Sequence, residues 1–282
     1  MRLERESAIV REAYPDAYVD LAVFVTEFGG ATGLILVLAL AYWLTRRQES
    51  ALVASYAVCG IGVVLLLKSL LAMPRPPEEL FLIAHGDDPY GFPSGHAFMA
   101  VVVYGGFLVT FDRLRDPLAV ASVTALVVAI SLSRIVLGVH YLGDVVVGAL
   151  LGVGFLVGFH RLVGGRPARG FAIGGVVAVP AIAASNAEPY TLVALGAAIG
   201  GALASLRLEA APPLRSRLEG GVLSVVGLGY LVTIGTAEST LAAATPVGIV
   251  VANALLVAGV LLAPLALDRL GGGWIVDSSA SR

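Results

Sequence analysis

The stretch S-R-I-V-L-G-V-H-Y-L-G-D, Ser133–Asp144, lies between two apolar runs and carries three groups that a membrane segment ordinarily avoids. Arg134, His140 and Asp144 each cost roughly 3 kcal/mol or more at bilayer depth unless they are paired or wet. His140 and Asp144 are four residues apart, so one helix face presents both and the carboxylate can orient the imidazole. That is the arrangement of an activated histidine. An Arg–Asp pair stitching two helices at a loop, with a capping histidine, is the structural alternative.

Outward from this stretch the chain is uniformly apolar. Of its 282 residues 58% are hydrophobic and only 13% charged, against roughly a quarter charged in a soluble domain. The 34 glycines suit membrane helices that pack closely through small residues. The expected fold class is all-α, a polytopic transmembrane bundle of about nine spans, since a span needs about 20 apolar residues. These fall near 20–44, 51–73, 94–111, 118–133, 141–162, 171–184, 189–206, 220–235 and 246–267. The run near 171–184 is short and holds Pro180.

The formal charge of −2 gives no basic signature for nucleic acid, which is excluded as a partner. The single cysteine, Cys59, falls mid-span and rules out an internal disulfide. The first sixteen residues hold Arg2, Glu4, Arg5, Glu6, Arg11, Glu12 and Asp16 and no early apolar core, unlike a cleavable signal. Leu3, Val10, Tyr14 and Leu21 recur at helical spacing, which predicts an interfacial amphipathic segment over 1–18. A transmembrane core over 19–185 and further helices over 186–282 complete one membrane domain, with no internal repeat.

Arginine asymmetry sets the expected orientation. Alternate loops hold Arg46/Arg47, Arg113/Arg115, Arg161/Arg166/Arg169 and Arg207/Arg215/Arg217, and Arg269 follows the last span, whereas the loops near Asn186 and Glu238 carry none. The arginine-rich side and the C-terminus are therefore expected in the cytoplasm. The end of the second span (Lys68–Pro76), the start of the third (Pro93–His96) and the junction at Arg134–Asp144 then meet on the extracytoplasmic side. Lys68 is the one lysine in the chain.

Three cations in one pocket describe a receptor for a multiply charged anion, and arginine forks suit phosphate oxygens. Ser94 and Gly95 open a helix, so free backbone N–H groups face the same anion. No carboxylate or Cys/His cluster has metal-ligand spacing, so neither a metal nor another cofactor is expected. His140, backed by Asp144, is the expected nucleophile on phosphorus, and His96 the acid that protonates the leaving oxygen and then activates water. The reverse assignment of the histidines stays open.

Lys68-x6-Arg75-Pro76, Pro93-Ser94-Gly95-His96 and Ser133-Arg134-x5-His140-x3-Asp144 resemble, in order, the three signatures of the PAP2 (type 2 phosphatidic acid phosphatase) superfamily. The resemblance covers about 51–162. It implies a metal-independent helical bundle, usually of six spans, in which Lys68, Arg75, Ser94, Gly95 and Arg134 bind phosphate and His140, Asp144 and His96 carry the reaction. The implied activity is hydrolysis of a lipid phosphomonoester or pyrophosphate, of the phosphatidate, phosphatidylglycerophosphate or polyprenyl pyrophosphate type, through a phosphohistidine. A phosphotransferase of the same superfamily and a transporter or flippase for an anionic lipid are the alternatives. The loop 77–92, with Glu78, Glu79, His85, Asp87 and Asp88, is read as solvated or as a lid over the site, and His160 as a helix-terminus residue. The substrate is a lipid phosphate met in the bilayer; the oligomeric state is left unread.

Overall fold

A computed structural model describes residues 2–84, 88–208, 213–242 and 245–270. His85 and Asp87 of the loop, and the C-terminal stretch expected in the cytoplasm, lie outside these residues. The described chain is helical, its one β contact being an isolated bridge between Pro74 and Tyr90. The helices are α1 (Glu4–Ala13), α2 (Val19–Glu27), α3 (Ala31–Leu44), α4 (Arg47–Leu71), α5 (Gly95–Thr110), α6 (Pro117–Val136), α7 (Leu142–Val163), α8 (Pro167–Ala184), α9 (Pro189–Ser205), α10 (Arg217–Ala237) and α11 (Pro246–Arg269).

Six of these, α4, α6, α7, α8, α10 and α11, are long and apolar enough to cross a membrane. The first expected span is broken: a 53° bend separates α2 from α3, and the two make a seventh span only if taken together. The break falls at Gly29-Gly30, where helix propensity is weakest. It is held open from outside, because Tyr104 donates to the Phe28 carbonyl at 2.7 Å. The expected third and seventh spans are the helices α5 and α9, both shorter than a full span. Length and composition thus support six or seven spans where the sequence suggested about nine.

The described chain divides into two compact units, Met1–Ile35 with Val63–Leu162, and Leu36–Gly62 with Val163–Arg282. In the first unit, α6 packs against α1, α2 and α5. Asp116 caps its start, accepting from Leu118 N and Ala119 N at 3.1 Å, and Pro117 supplies the first turn. Its far end turns at Gly138, whose φ of +77° and contact with the Leu80 carbonyl leave no room for a side chain. Gly148 and Gly152 put one face of α7 against the backbone of Ser94 and Phe98. Lipid tails are as apolar as leucine, so close backbone packing of this kind is what holds membrane helices together. It also clamps the start of α5 to the start of α7.

The second unit repeats the device. Gly196 and Gly200 on α9 face the backbone of Val250 and Ala254 on α11. Pro264 interrupts α11 and leaves the Val260 carbonyl without its helical donor. Trp43 Nε1 supplies one at 3.1 Å, and the Tyr42 hydroxyl donates to the neighbouring Leu261 carbonyl at 2.8 Å. Arg47 pairs with Glu219 at 2.7 Å, and both side chains are almost wholly enclosed.

Candidate active site

The site is built from four stretches of the first unit. The last turn of α4 supplies Lys68, the loop after it Arg75 and Asp88, the start of α5 Ser94–His96, and the α6–α7 corner Arg134, His140 and Asp144. The loop is fixed on its own stem: Gly91 N donates to Met73 O at 2.9 Å, beside the Pro74–Tyr90 bridge. Ser94 N donates to the Asp144 carbonyl at 3.0 Å, which ties the second sequence signature directly to the third.

Lys68 and Arg75 are aimed at one point. Lys68 Nζ donates to Asp88 Oδ2 at 2.5 Å and to the Tyr90 carbonyl at 2.7 Å. Arg75 Nη2 reaches the same carboxylate oxygen at 2.9 Å, and its Nε donates to the Asp88 carbonyl at 2.8 Å. Burial pushes the Asp88 carboxyl up, but Lys68 and then Arg75 pull harder and hold it below the usual carboxylate range. Burial likewise lowers Arg75, with Asp88 opposing. A guanidinium remains charged throughout.

Arg75 also defines the state of His140. Its Nη1 lies 3.3 Å from His140 Nε2 and 3.2 Å from the Val139 carbonyl. A guanidinium can only donate, so an Arg75–His140 hydrogen bond takes Nε2 as its acceptor and goes with the tautomer protonated on Nδ1. The imidazole is 1% exposed, and burial first, then Arg134, Arg75 and Lys68, hold its pKa well below the ordinary 6.5. His140 is therefore neutral, with its lone pair on the cation side.

Nδ1 lies 3.5 Å from Asp144 Oδ2 and has no hydrogen-bond partner among the described residues. The carboxylate is engaged elsewhere. Arg2 grips it with two donors, Nε to Oδ1 at 2.8 Å and Nη2 to Oδ2 at 2.6 Å, and Tyr141 N donates to Oδ2 at 2.9 Å. The Arg2 guanidinium also stacks 4.7 Å above the Tyr141 ring. The N-terminal segment, expected on the membrane surface, thus reaches into the site: Gly143 N donates to the Arg2 carbonyl at 3.0 Å and Leu142 N to Ser7 Oγ at 2.7 Å.

The remaining expected residues line the same place. Arg134 is 4% exposed and donates from Nη1 to Thr26 Oγ1 at 2.7 Å, while its Nε has no hydrogen-bond partner among the described residues. Ser94 sits at the start of α5 yet makes no capping bond, and its buried Oγ is likewise without a partner among the described residues. A side chain at Gly95 would meet only Lys68 Cε, at 3.9 Å, so glycine there keeps the space before the lysine open. His96 packs at the Gly29-Gly30 break and lies close enough to Arg134, His140, Lys68 and Arg75 to feel their charge. All eight residues singled out in the sequence come together in one unit. Arg2, Asp88 and Thr26 join them without having been among those eight.

The sequence family described as the PAP2 superfamily matches residues 30–167, a stretch that contains every site residue except Arg2 and Thr26. Residues 30–167 belong to the PAP2 superfamily. Among curated proteins, the chain is 34% identical over 132 residues to the bacitracin transport permease protein BcrC of Bacillus licheniformis, covering 44% of this chain and 59% of that one. It is 37% identical over 122 residues to the decaprenylphosphoryl-5-phosphoribose phosphatase of Mycobacterium tuberculosis, covering 42% of this chain and 64% of that one. The matches therefore span about three fifths of the relatives' length. No solved structure matches the chain. With this family match, and with six of the described helices able to cross a bilayer, the chain is an integral membrane protein.

Proposed function

We propose that the PAP2 segment removes the terminal phosphate of a prenyl-type lipid phosphate or pyrophosphate through a phosphohistidine on His140, without a metal. One observation carries this reading: two cations converge beside the lone pair of a neutral, buried histidine, Arg75 Nη1 being 3.3 Å from His140 Nε2. The preference for a prenyl lipid rests on the decaprenyl substrate in the name of the mycobacterial relative.

In the first step His140 Nε2 attacks phosphorus as the bond to the leaving oxygen breaks, and His96 delivers its proton to that oxygen. Lys68, Arg75 and Arg134 hold the phosphoryl oxygens, whose charge spreads in the transition state. Ser94 Oγ and the N–H groups opening α5 add neutral donors. Phosphorylation leaves the His140 ring cationic, with Nδ1–H toward Asp144. In the second step neutral His96 takes a proton from water, the hydroxyl oxygen bonds to phosphorus, and the P–N bond breaks to release inorganic phosphate.

The arginine asymmetry of the loops supports an extracytoplasmic site and a cytoplasmic C-terminus. The test is phosphate release by the purified chain in detergent, from prenyl phosphates, prenyl pyrophosphates, phosphatidate and phosphatidylglycerophosphate, with excess EDTA. The expected result is release from a prenyl substrate, unchanged by EDTA and lost in His140→Ala. Loss with EDTA that magnesium restores would contradict the metal-free step. Product carrying phosphate on an added alcohol would identify a phosphotransferase instead. The name of the Bacillus relative, a bacitracin transport permease, favours a second reading, transport. That reading requires transport to survive His140→Ala.

A further inference from the structure

The geometry points to Asp88 as the residue that decides which phosphates the site accepts: its carboxylate is an internal anion seated on Lys68 and Arg75, displaced by a terminal phosphate dianion and not by a phosphodiester monoanion. This deepens the proposed phosphatase reading and rests on it.

One oxygen, Asp88 Oδ2, takes Lys68 Nζ at 2.5 Å and Arg75 Nη2 at 2.9 Å, while Oδ1 accepts from Tyr90 N at 3.0 Å. The same guanidinium touches His140 Nε2 through Nη1. A phosphoryl group poised for attack by Nε2 must put its oxygens on these donors, so substrate and carboxylate compete for one place. Lys68 and Arg75 are nearly enclosed, their side chains 6% and 9% exposed, whereas Asp88 is 20% exposed on a surface loop. The cations are the enclosed members and the carboxylate the more exposed one, so displacement falls to the carboxylate.

Charge then sets the selection. A phosphodiester carries one negative charge, so exchanging it for Asp88 gains no net attraction to the two cations. A terminal phosphate carries about −1.5 to −2 near neutral pH and three acceptor oxygens, so its exchange is favourable. The distinction matters for a protein embedded in a bilayer, whose own headgroups are largely phosphodiesters at high local concentration. Without a resident anion, bare Lys68 and Arg75 would bind those headgroups. A resident carboxylate also halves the uncompensated charge of the two buried cations until the right ligand arrives.

The test uses the full chain in detergent, titrated with inorganic phosphate as the dianion and dimethyl phosphate as the monoanion, in wild type and Asp88→Asn. The expected result is roughly tenfold tighter phosphate binding in Asp88→Asn, together with measurable dimethyl phosphate binding that the wild type lacks, narrowing the dianion-to-monoanion ratio. Unchanged or weaker phosphate binding, or an unchanged ratio, would overturn the assignment and make Asp88 a tether for the loop. A second measurement needs no variant. Hydrogen exchange in the wild type with inorganic vanadate should quicken at the Tyr90 amide, released from Oδ1, while the amides opening α5 slow. Slower exchange at Tyr90 would overturn the proposal even if Asp88→Asn fails to fold. A wild type that binds phosphate this way but releases none from any lipid phosphate sinks the phosphatase reading alone. Hydrolysis by a wild type whose anion selectivity ignores Asp88→Asn sinks this inference alone.

Discussion

Arg47–Glu219 in one unit and Lys68–Arg75–Asp88 in the other are both enclosed charge networks in apolar helical protein, yet they are finished differently. Glu219 Oε1 takes Arg47, Oε2 takes Arg215 N at 2.8 Å, and the Glu219 amide is capped by Ser216 Oγ at 3.1 Å. Charge meets charge one for one, and the carboxylate is saturated. The other network keeps donors in reserve: Arg134 Nε and Ser94 Oγ lack hydrogen-bond partners among the described residues, and a histidine lone pair faces a guanidinium. Two cations on one carboxylate beside a buried histidine, a surplus that the one-for-one Arg47–Glu219 pair lacks, are the mark of a place for a ligand.

The largest expected effect breaks this contrast if it fails. Arg75→Ala should lower kcat/KM by roughly 10²–10⁴-fold with little change in melting temperature, since it removes a donor to the transferring phosphoryl group. Glu219→Ala should do the reverse, destabilising by up to about 3–5 kcal/mol by stranding Arg47, with activity retained in the surviving folded protein. Activity assays and melting curves on both variants decide. If the two respond alike, the networks do not differ in kind.

A smaller effect tests the clamp on Asp144. Arg2→Ala leaves a carboxylate with 0% exposed side chain without its ion-pair partner, so the melting temperature should fall by an amount equivalent to about 2–3 kcal/mol. The Arg46–Glu49 pair, whose arginine side chain is 55% exposed, supplies the scale: Arg46→Ala should change stability by no more than about 0.5 kcal/mol. Equal shifts would show that Arg2 is a surface contact.

The smallest effect is on pH dependence. The folded pKa of His140 lies below its unfolded value, so its contribution to stability is complete above about pH 6.5 and declines as pH falls from there toward the folded pKa. The same shift keeps His140, the proposed nucleophile, neutral in mild acid. Formation of the phosphoenzyme, measured as a pre-steady-state burst, should therefore not decline through pH 6.5. Lys68→Met removes one of the cations that depress His140 and should raise the acid limb.

Much of this was legible in the chain. Asp116-Pro117 announces α6, and the proline run after Met73 ends the second span as expected. His140 and Asp144, and the Pro93–His96 start of α5, declare themselves by residue type and spacing. Arg2 did not, because its partner lies 142 positions away and a charged N-terminus reads as a surface segment. Asp88 sits in a loop with no periodicity, so its residue type suggested a solvated or lid position and nothing placed it on the phosphate donors. The break at Gly29-Gly30 had a visible signal that hydropathy overrode, since glycine scores as harmless in an apolar run while weakening the helix. The bounds of α5 were legible, since the third span was expected at 94–111 and the helix runs Gly95–Thr110; only its length as a full span was overread.

The most direct test of the account is to mix the purified chain with a prenyl pyrophosphate carrying ³²P in its terminal phosphate, quench in alkali, and map the label. The prediction is an alkali-stable, acid-labile label on the peptide bearing His140, absent from His140→Ala and prolonged in His96→Ala. Phosphate release that persists in His140→Ala, or label found on His96, would contradict it.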